Sequence, residues 1–194
     1  MVIGVTGGMG CGKSTVARLM EGRGLARLDS DEVIRSQLLV NEQILDSLVC
    51  YFGSMVLSED RAVRRSYLAL RIFENDADRQ WLEELLLPKL FSIWRKMLRE
   101  DRTRDWVFEV PLLFEKQLEN WFDFTLCVSS TPENQLIRLE KRGMTRAHAE
   151  LRISKQLPLA RKVELADFVI GNDGTSDFLR LQVDALVGQL GIRV

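Results

Sequence analysis

The chain has 194 residues, with 27 Lys and Arg against 28 Asp and Glu. That length suits one domain with a buried core, and the balanced charge excludes the broad basic field that long nucleic acid or an anionic membrane needs. There is no apolar run long enough to cross a membrane, no charged leader, and no paired spacing among Cys11, Cys50 and Cys127, so the expectation is a cytosolic protein without a structural zinc site.

The first element, Val2 to Thr6, reads as a short β-strand. It enters Gly7-Gly8-Met9-Gly10-Cys11-Gly12-Lys13-Ser14, a complete G-x-x-x-x-G-K-S loop. A helix follows over about Lys13 to Gly22, with Val16, Leu19 and Met20 on one face and Gly24 to end it. Strand, glycine turn and helix in that order aim successive backbone N–H groups at the β-phosphate of a nucleotide. Lys13 then sets an ammonium against the β and γ phosphates, and Ser14 Oγ is placed to ligate the Mg²⁺ that bridges them. Cys11, inside the loop, reads as a packing residue.

The second strand, Leu25 to Leu28, ends in Asp29-Ser30-Asp31-Glu32, which puts carboxylates at the mouth of the sheet. An alcohol that accepts a phosphoryl group must lose its proton, and Asp31 is the candidate base. Asp29 either organises Mg²⁺-bound water or caps the helix through Val33 to Leu39. Any of Asp29, Ser30 and Asp31 could equally serve only as that cap. About 75 residues separate the second strand from the third, far more than one crossover needs. This interval reads as several helices, including Ala77 to Arg99 interrupted at Pro88, and is expected to form a substrate-binding insertion above the C-terminal ends of the strands.

The third strand, Trp106 to Val110, carries Glu109 near its end, placed either for the magnesium water shell or for a salt bridge or loop hydrogen bond. Pro111 and the leucines after it suit a rigid apolar wall for a substrate, or ordinary packing. A fourth strand over Phe124 to Val128 leads to Thr131-Pro132-Glu133, which opens a helix. Between Glu133 and Lys162, Arg138, Lys141, Arg142, Arg146, Arg152, Lys155, Arg161 and Lys162 stand against Glu140 and Glu150. Singly these suit a solvated helix face; as a group they suit a lid over phosphates. The fifth strand, Phe168 to Ile170, enters the turn Gly171-Asn172-Asp173-Gly174, and a last helix from Ser176 to Leu190 carries Leu179, Val183, Leu186 and Leu190 as a core stripe.

Five strands alternating with helices predict an α/β fold with a parallel sheet covered on both faces. The expected organisation is a single P-loop domain with its core at about 1–30, 104–131 and 165–194, an insertion at about 31–103 and a lid at about 132–164. A guanine-nucleotide switch would carry Asn-Lys-x-Asp and Asp-x-x-Gly elements, and neither is present. Inserted helices and a basic lid favour a kinase that encloses two ligands and excludes water over a nucleotide-driven switch or motor.

The sequence resembles the dephospho-coenzyme A kinase family over nearly its whole length. The likeness rests on Thr6 to Thr15, on Asp29-Ser30-Asp31 with Arg35, and on Val110-Pro111-Leu112-Leu113-Phe114-Glu115. It continues through Gln135-Leu136-Ile137-Arg138, Arg142, Gln156 and Ala166-Asp167-Phe168-Val169-Ile170 with Asn172 and Gly174. The resemblance implies a three-layer fold like that of nucleoside monophosphate kinases, and phosphorylation of the ribose 3′-hydroxyl of dephospho-CoA by ATP with Mg²⁺. It implies ATP held by Gly8, Gly10, Cys11, Gly12, Lys13, Ser14 and Thr15, with Asn172 near the adenine and Ser14 on the metal. Asp31, Lys13 and Arg142 are then catalytic, and Asp31, Arg65, Pro111 and Leu112 face the substrate. Nucleic acid and membrane are not expected partners, and the state is a monomer or small homo-oligomer. The chain departs from the family in having Leu87-Pro88 where His-Pro is usual, and in the uncharged Tyr67-Leu68-Ala69-Leu70. The first change removes a hydrogen-bonding imidazole from the substrate region and leaves the transfer chemistry alone. A related kinase acting on a nucleoside monophosphate has less need of an Asp base, because its acceptor is already ionised.

Overall fold

Five strands form the parallel sheet in the computed structural model, which describes residues 1–192. They are β1 (Val2–Gly7), β2 (Ala26–Asp29), β3 (Trp106–Glu109), β4 (Phe124–Ser129) and β5 (Phe168–Gly171), in the spatial order β2-β3-β1-β4-β5. The inner strands β1, β3 and β4 read as apolar runs because they are buried on both faces and have no polar side to alternate with, whereas the edge strands β2 and β5 are only partly buried. The chain moves from β1 to one edge and later crosses to the other, so β1 opens at the switch point of the sheet, where α/β folds bind ligands.

The helix α1 (Lys13–Glu21) packs Val16, Ala17 and Met20 against Ile3, Val5, Val107, Leu126 and Val128 in one core cluster. It ends at Gly22, earlier than Gly24, which instead takes φ +97° and turns the chain into β2. At the exit from β1, Gly7 has φ +141°, and a Cβ there would lie 2.2 Å from the carbonyl oxygen of Val128. Only glycine lets the loop leave beside β4.

The chain divides into two compact units, one made of Met1–Asp29 with the chain from Thr103 onward, the other of Ser30–Arg102. In the second unit α2 (Ser30–Val33) runs into a π-helical turn at Ile34–Leu38, followed by α3 (Glu42–Phe52), α4 (Arg65–Glu74) and α5 (Asp76–Glu100). Tyr51 stacks on Trp81 at 4.0 Å, and buried Asp78 accepts from Arg71 Nε at 3.0 Å. The break expected at Pro88 does not occur, since α5 is continuous for 25 residues. Proline there forfeits the N–H that would bond the Glu84 carbonyl, and the buried stripe Leu82, Leu86, Leu90 and Trp94 anchors the helix on both sides of it.

The first unit continues with α6 (Pro132–Glu140), α7 (Arg146–Ser154), α8 (Leu159–Leu165) and α9 (Ser176–Gln189). As expected, α9 buries Leu179, Val183 and Leu186, and Thr131 caps α6 by accepting from the N–H of Asn134. Asp173 joins the end of β5 to that cap. Its Oδ1 accepts from Ser130 Oγ at 2.6 Å, the N–H of Thr131 at 2.8 Å and Asn134 Nδ2 at 2.8 Å. Burial alone raises its pKa, but these hydrogen bonds outweigh it and hold the carboxyl at about 2, below the ordinary 3.8. A depressed carboxyl stabilises the fold fully above the ordinary value and loses that contribution as pH falls through the depressed one. Asp173→Ala therefore costs about 1 kcal/mol at neutral pH after allowance for solvent screening, and the gap narrows as pH drops from about 4 towards 2. Urea unfolding of both proteins at each pH checks this, and a gap independent of pH contradicts it.

Candidate active site

The phosphate loop is shaped by its glycines and braced from outside. Gly10 and Gly12 have φ of +81° and +96°, and a Cβ on Gly12 would fall 2.2 Å from Asn172 Nδ2. The N–H groups of Thr15 and Val16 both donate to the Gly12 carbonyl at 3.0 and 3.1 Å, so the helical ladder starts there. Those of Gly12 to Ser14 precede it at the positive end of α1, where an anion is favoured.

The loop's carbonyls are held from the opposite side. Asn172 Nδ2 donates to the Cys11 carbonyl at 2.8 Å, and Arg138 Nη1 donates to the Gly10 carbonyl at 3.2 Å, while Arg138 Nη2 reaches the Asn172 carbonyl at 2.5 Å. The N–H of Met9 donates to Gln156 Oε1 at 3.1 Å. With these bonds the carbonyls are committed, and the loop is fixed in shape without any ligand contact. Lys13 Nζ lies over the loop, donating to the carbonyls of Gly7 and Gly8 at 3.2 and 3.0 Å. Cys11 is fully buried, and burial raises its thiol pKa despite Lys13 nearby, which fits a packing role better than a reactive one.

Beneath the loop, Glu109 ends β3 in register with Asp29 on β2 and Val5 on β1. Its Oε1 accepts from Ser14 Oγ at 2.6 Å, and its Oε2 is buried without a hydrogen bond. Arg27 Nη2 stands 3.3 Å from Asp29 Oδ2 and 3.6 Å from Glu109 Oε2. Glu109 thus makes the hydrogen bond and the ion pair of its second reading. A serine hydroxyl that keeps its lone pairs while donating to a carboxylate, next to a carboxylate oxygen lacking a donor, fits a hydrated Mg²⁺. Ser30 is the first residue of α2 and its buried Oγ has no hydrogen-bond partner, so it is not the cap of that helix. Asp31 lies exposed in the first turn of α2.

Pro111 follows β3, and its carbonyl accepts from Thr6 Oγ1 at 3.2 Å and from Lys162 Nζ at 2.9 Å; the Leu112 side chain is partly exposed. Lys162 therefore does not belong to a surface over phosphates. It is fully buried and pairs with Glu115 Oε1 at 2.7 Å, because α8 packs its inner face on the sheet. Arg146 is engaged by Glu133 and Glu150, and Arg161 by Glu164. Arg142 lies exposed in the turn after α6. In the second unit Arg65 opens α4 and, with Arg35, Asp60 and Arg61, lines a cavity of about 340 Å³. Leu87 is half-buried on α5.

The sequence hides one brace of the loop, Arg138, and one cation beside Glu109, Arg27. Arg138 belongs by charge with the lid cations, although its spacing from Gln135 puts both on one face of α6, towards the loop. Arg27 was hidden in a strand, where a charge amid Leu25, Ala26 and Leu28 was the available signal.

A phosphate loop at the switch point of a parallel sheet, its serine tied to a carboxylate on the neighbouring strand, is the arrangement of P-loop kinases. Shikimate kinase from Acinetobacter baumannii shares the fold, with a TM-score of 0.56 at 17% identity over 97% of this chain and 92% of its own. The family can be stated more narrowly: residues 1–177 match the dephospho-CoA kinase family, and the chain belongs to it. The dephospho-CoA kinase of Geobacillus kaustophilus is 36% identical over 97% of this chain and 96% of its own, and that of Bacillus anthracis 33% over 99% and 98%. Among solved structures, a protein from Thermus thermophilus superposes with a TM-score of 0.85 at 28% identity, covering 98% of this chain and 97% of its own.

Proposed function

We propose that this protein transfers the γ-phosphoryl group of ATP to the ribose 3′-hydroxyl of dephospho-CoA, giving CoA and ADP in the last step of coenzyme A synthesis. Membership of the family supports the reaction. The structural observation that carries it is the bond from Ser14 to Glu109 under a braced phosphate loop. In this reading Gly8, Gly10, Cys11, Gly12, Lys13, Ser14 and Thr15 hold ATP, with the N–H groups of Gly12 to Ser14 on the phosphates, and Lys13 offsets the charge that builds on the γ group. Ser14, with Glu109 behind it, holds Mg²⁺, which when bound neutralises phosphate charge. Asp31 takes the 3′-hydroxyl proton as the new O–P bond forms and the bond to the β-phosphate oxygen breaks.

Residues 31–103 form the substrate-binding insertion, with Arg65 contacting dephospho-CoA, and Pro111 and Leu112 give it an apolar wall. Residues 132–164 form the lid, which brings Arg142 to the phosphates, and Asn172 lies at the adenine end. The three cysteines are unpaired, in keeping with a reducing cytosol, and no helix among the described residues is long and apolar enough to cross a membrane.

The position of transfer is tested with analogues of dephospho-CoA. The analogue lacking the 3′-hydroxyl yields no phosphorylated product while the 2′-deoxy analogue is converted; phosphorylation of the 3′-deoxy compound overturns the assignment. In the same assay Arg142→Glu lowers kcat, whereas Arg180→Glu, on the exposed side of α9, leaves it unchanged.

A further inference from the structure

Arg27 is the one strongly polar residue in β2 before its terminal carboxylate, and its side chain is only 19% exposed although β2 lies at the edge of the sheet. It is in register with Val107, which is fully buried in the core against α1, so the strand face it shares is apolar at that level. Its Nε is buried with no hydrogen-bond partner, and a buried donor without an acceptor carries a desolvation cost. The guanidinium nevertheless extends along the strand towards Asp29 Oδ2 at 3.3 Å and Glu109 Oε2 at 3.6 Å. It approaches Glu109 from the side opposite Ser14, which occupies Oε1.

From this geometry we infer that Arg27 is a resident counter-cation that weakens the site for a divalent ion on its own and makes metal binding depend on the nucleotide's phosphates. The inference rests on the reading of Ser14 and Glu109 as the metal-holding residues. Asp29 and Glu109 are register partners, so removing the Arg27 charge leaves the two strand ends more negative and more attractive to a free cation. With Arg27 beside both, part of their charge is offset, and an incoming divalent ion meets a like charge close by. The phosphates of a nucleotide supply the missing negative charge, so the metal enters with ATP and not ahead of it. Arg27 is a positioning residue in this account: it touches neither the acceptor nor the transferred group.

The probe is Mn²⁺, followed by electron paramagnetic resonance of the free ion, with and without ADP, on the wild-type protein and on Arg27→Gln and Arg27→Lys. Loss of the charge in Arg27→Gln tightens Mn²⁺ binding about tenfold in the absence of ADP and flattens its dependence on ADP. Arg27→Lys keeps the charge and behaves as wild type. Should Arg27→Gln fail to fold, as judged by circular dichroism, Arg27→Val, which restores an ordinary apolar strand residue, takes its place. Equal or weaker Mn²⁺ binding in the folded neutral variant overturns the inference and makes Arg27 a brace for Glu109. Failure of the wild-type protein to bind Mn²⁺ even with ADP removes the metal-site reading itself, and the inference with it.

Discussion

Lys13→Ala lowers kcat/KM about 10³-fold, equivalent to about 4 kcal/mol of lost transition-state stabilisation, while the protein stays folded. Phosphoryl transfer asks little of a protein beyond position and charge, so removing the ammonium at the β and γ phosphates removes a main contribution. The fold has little to lose, because Lys13 is only partly buried and its Nζ spans the carbonyls of Gly7 and Gly8 without packing into the core cluster. The loop keeps its shape through Asn172, Arg138 and Gln156, none of which depends on Lys13. Steady-state kinetics with a thermal melt on the same sample measure both halves. A loss of activity below about tenfold contradicts the role given to Lys13, and a large fall in Tm would assign the lysine to stability instead.

Asp31→Asn lowers kcat by about 10²- to 10⁴-fold and leaves ATP affinity almost unchanged. This substitution separates two uses of the same residue, since asparagine caps a helix about as well as aspartate does and cannot take a proton at neutral pH. Asp31 is exposed in the first turn of α2, so the change itself disturbs stability by no more than about 0.5 kcal/mol. Turnover at the wild-type rate would make Asp31 a helix-start residue and move the search for the base elsewhere. Nucleotide titration in parallel establishes whether any loss lies in the chemical step.

Much of the core could be read from the chain because its signals are local. The strand from Val2 and the loop to Ser14 announce themselves by apolar burial and glycine spacing, and the stripe Leu179, Val183, Leu186 by helical period. What the sequence hid was pairing across long separations. Lys162 looks like one more lid cation until Glu115, 47 positions earlier by number, is seen to neutralise it inside the fold. Asn172 reads as a turn residue near the adenine and Arg138 as a lid cation, and only the close approach of β5 and α6 to the loop makes them its supports. Asp173 was legible as part of a turn, but its four partners on Ser130, Thr131 and Asn134 depend on β4 and β5 being neighbours. Pro88 misled in the other direction: a residue that disfavours helices locally is overruled by a buried stripe extending to both sides.

The most direct measurement offers the purified protein MgATP with dephospho-CoA, adenosine, AMP and CMP in parallel and identifies the products by mass spectrometry. The account predicts CoA formed in preference to every other phosphorylated product, with ADP released in equal amount. Preferred phosphorylation of another acceptor, or ADP released with no acceptor phosphorylated, would contradict it.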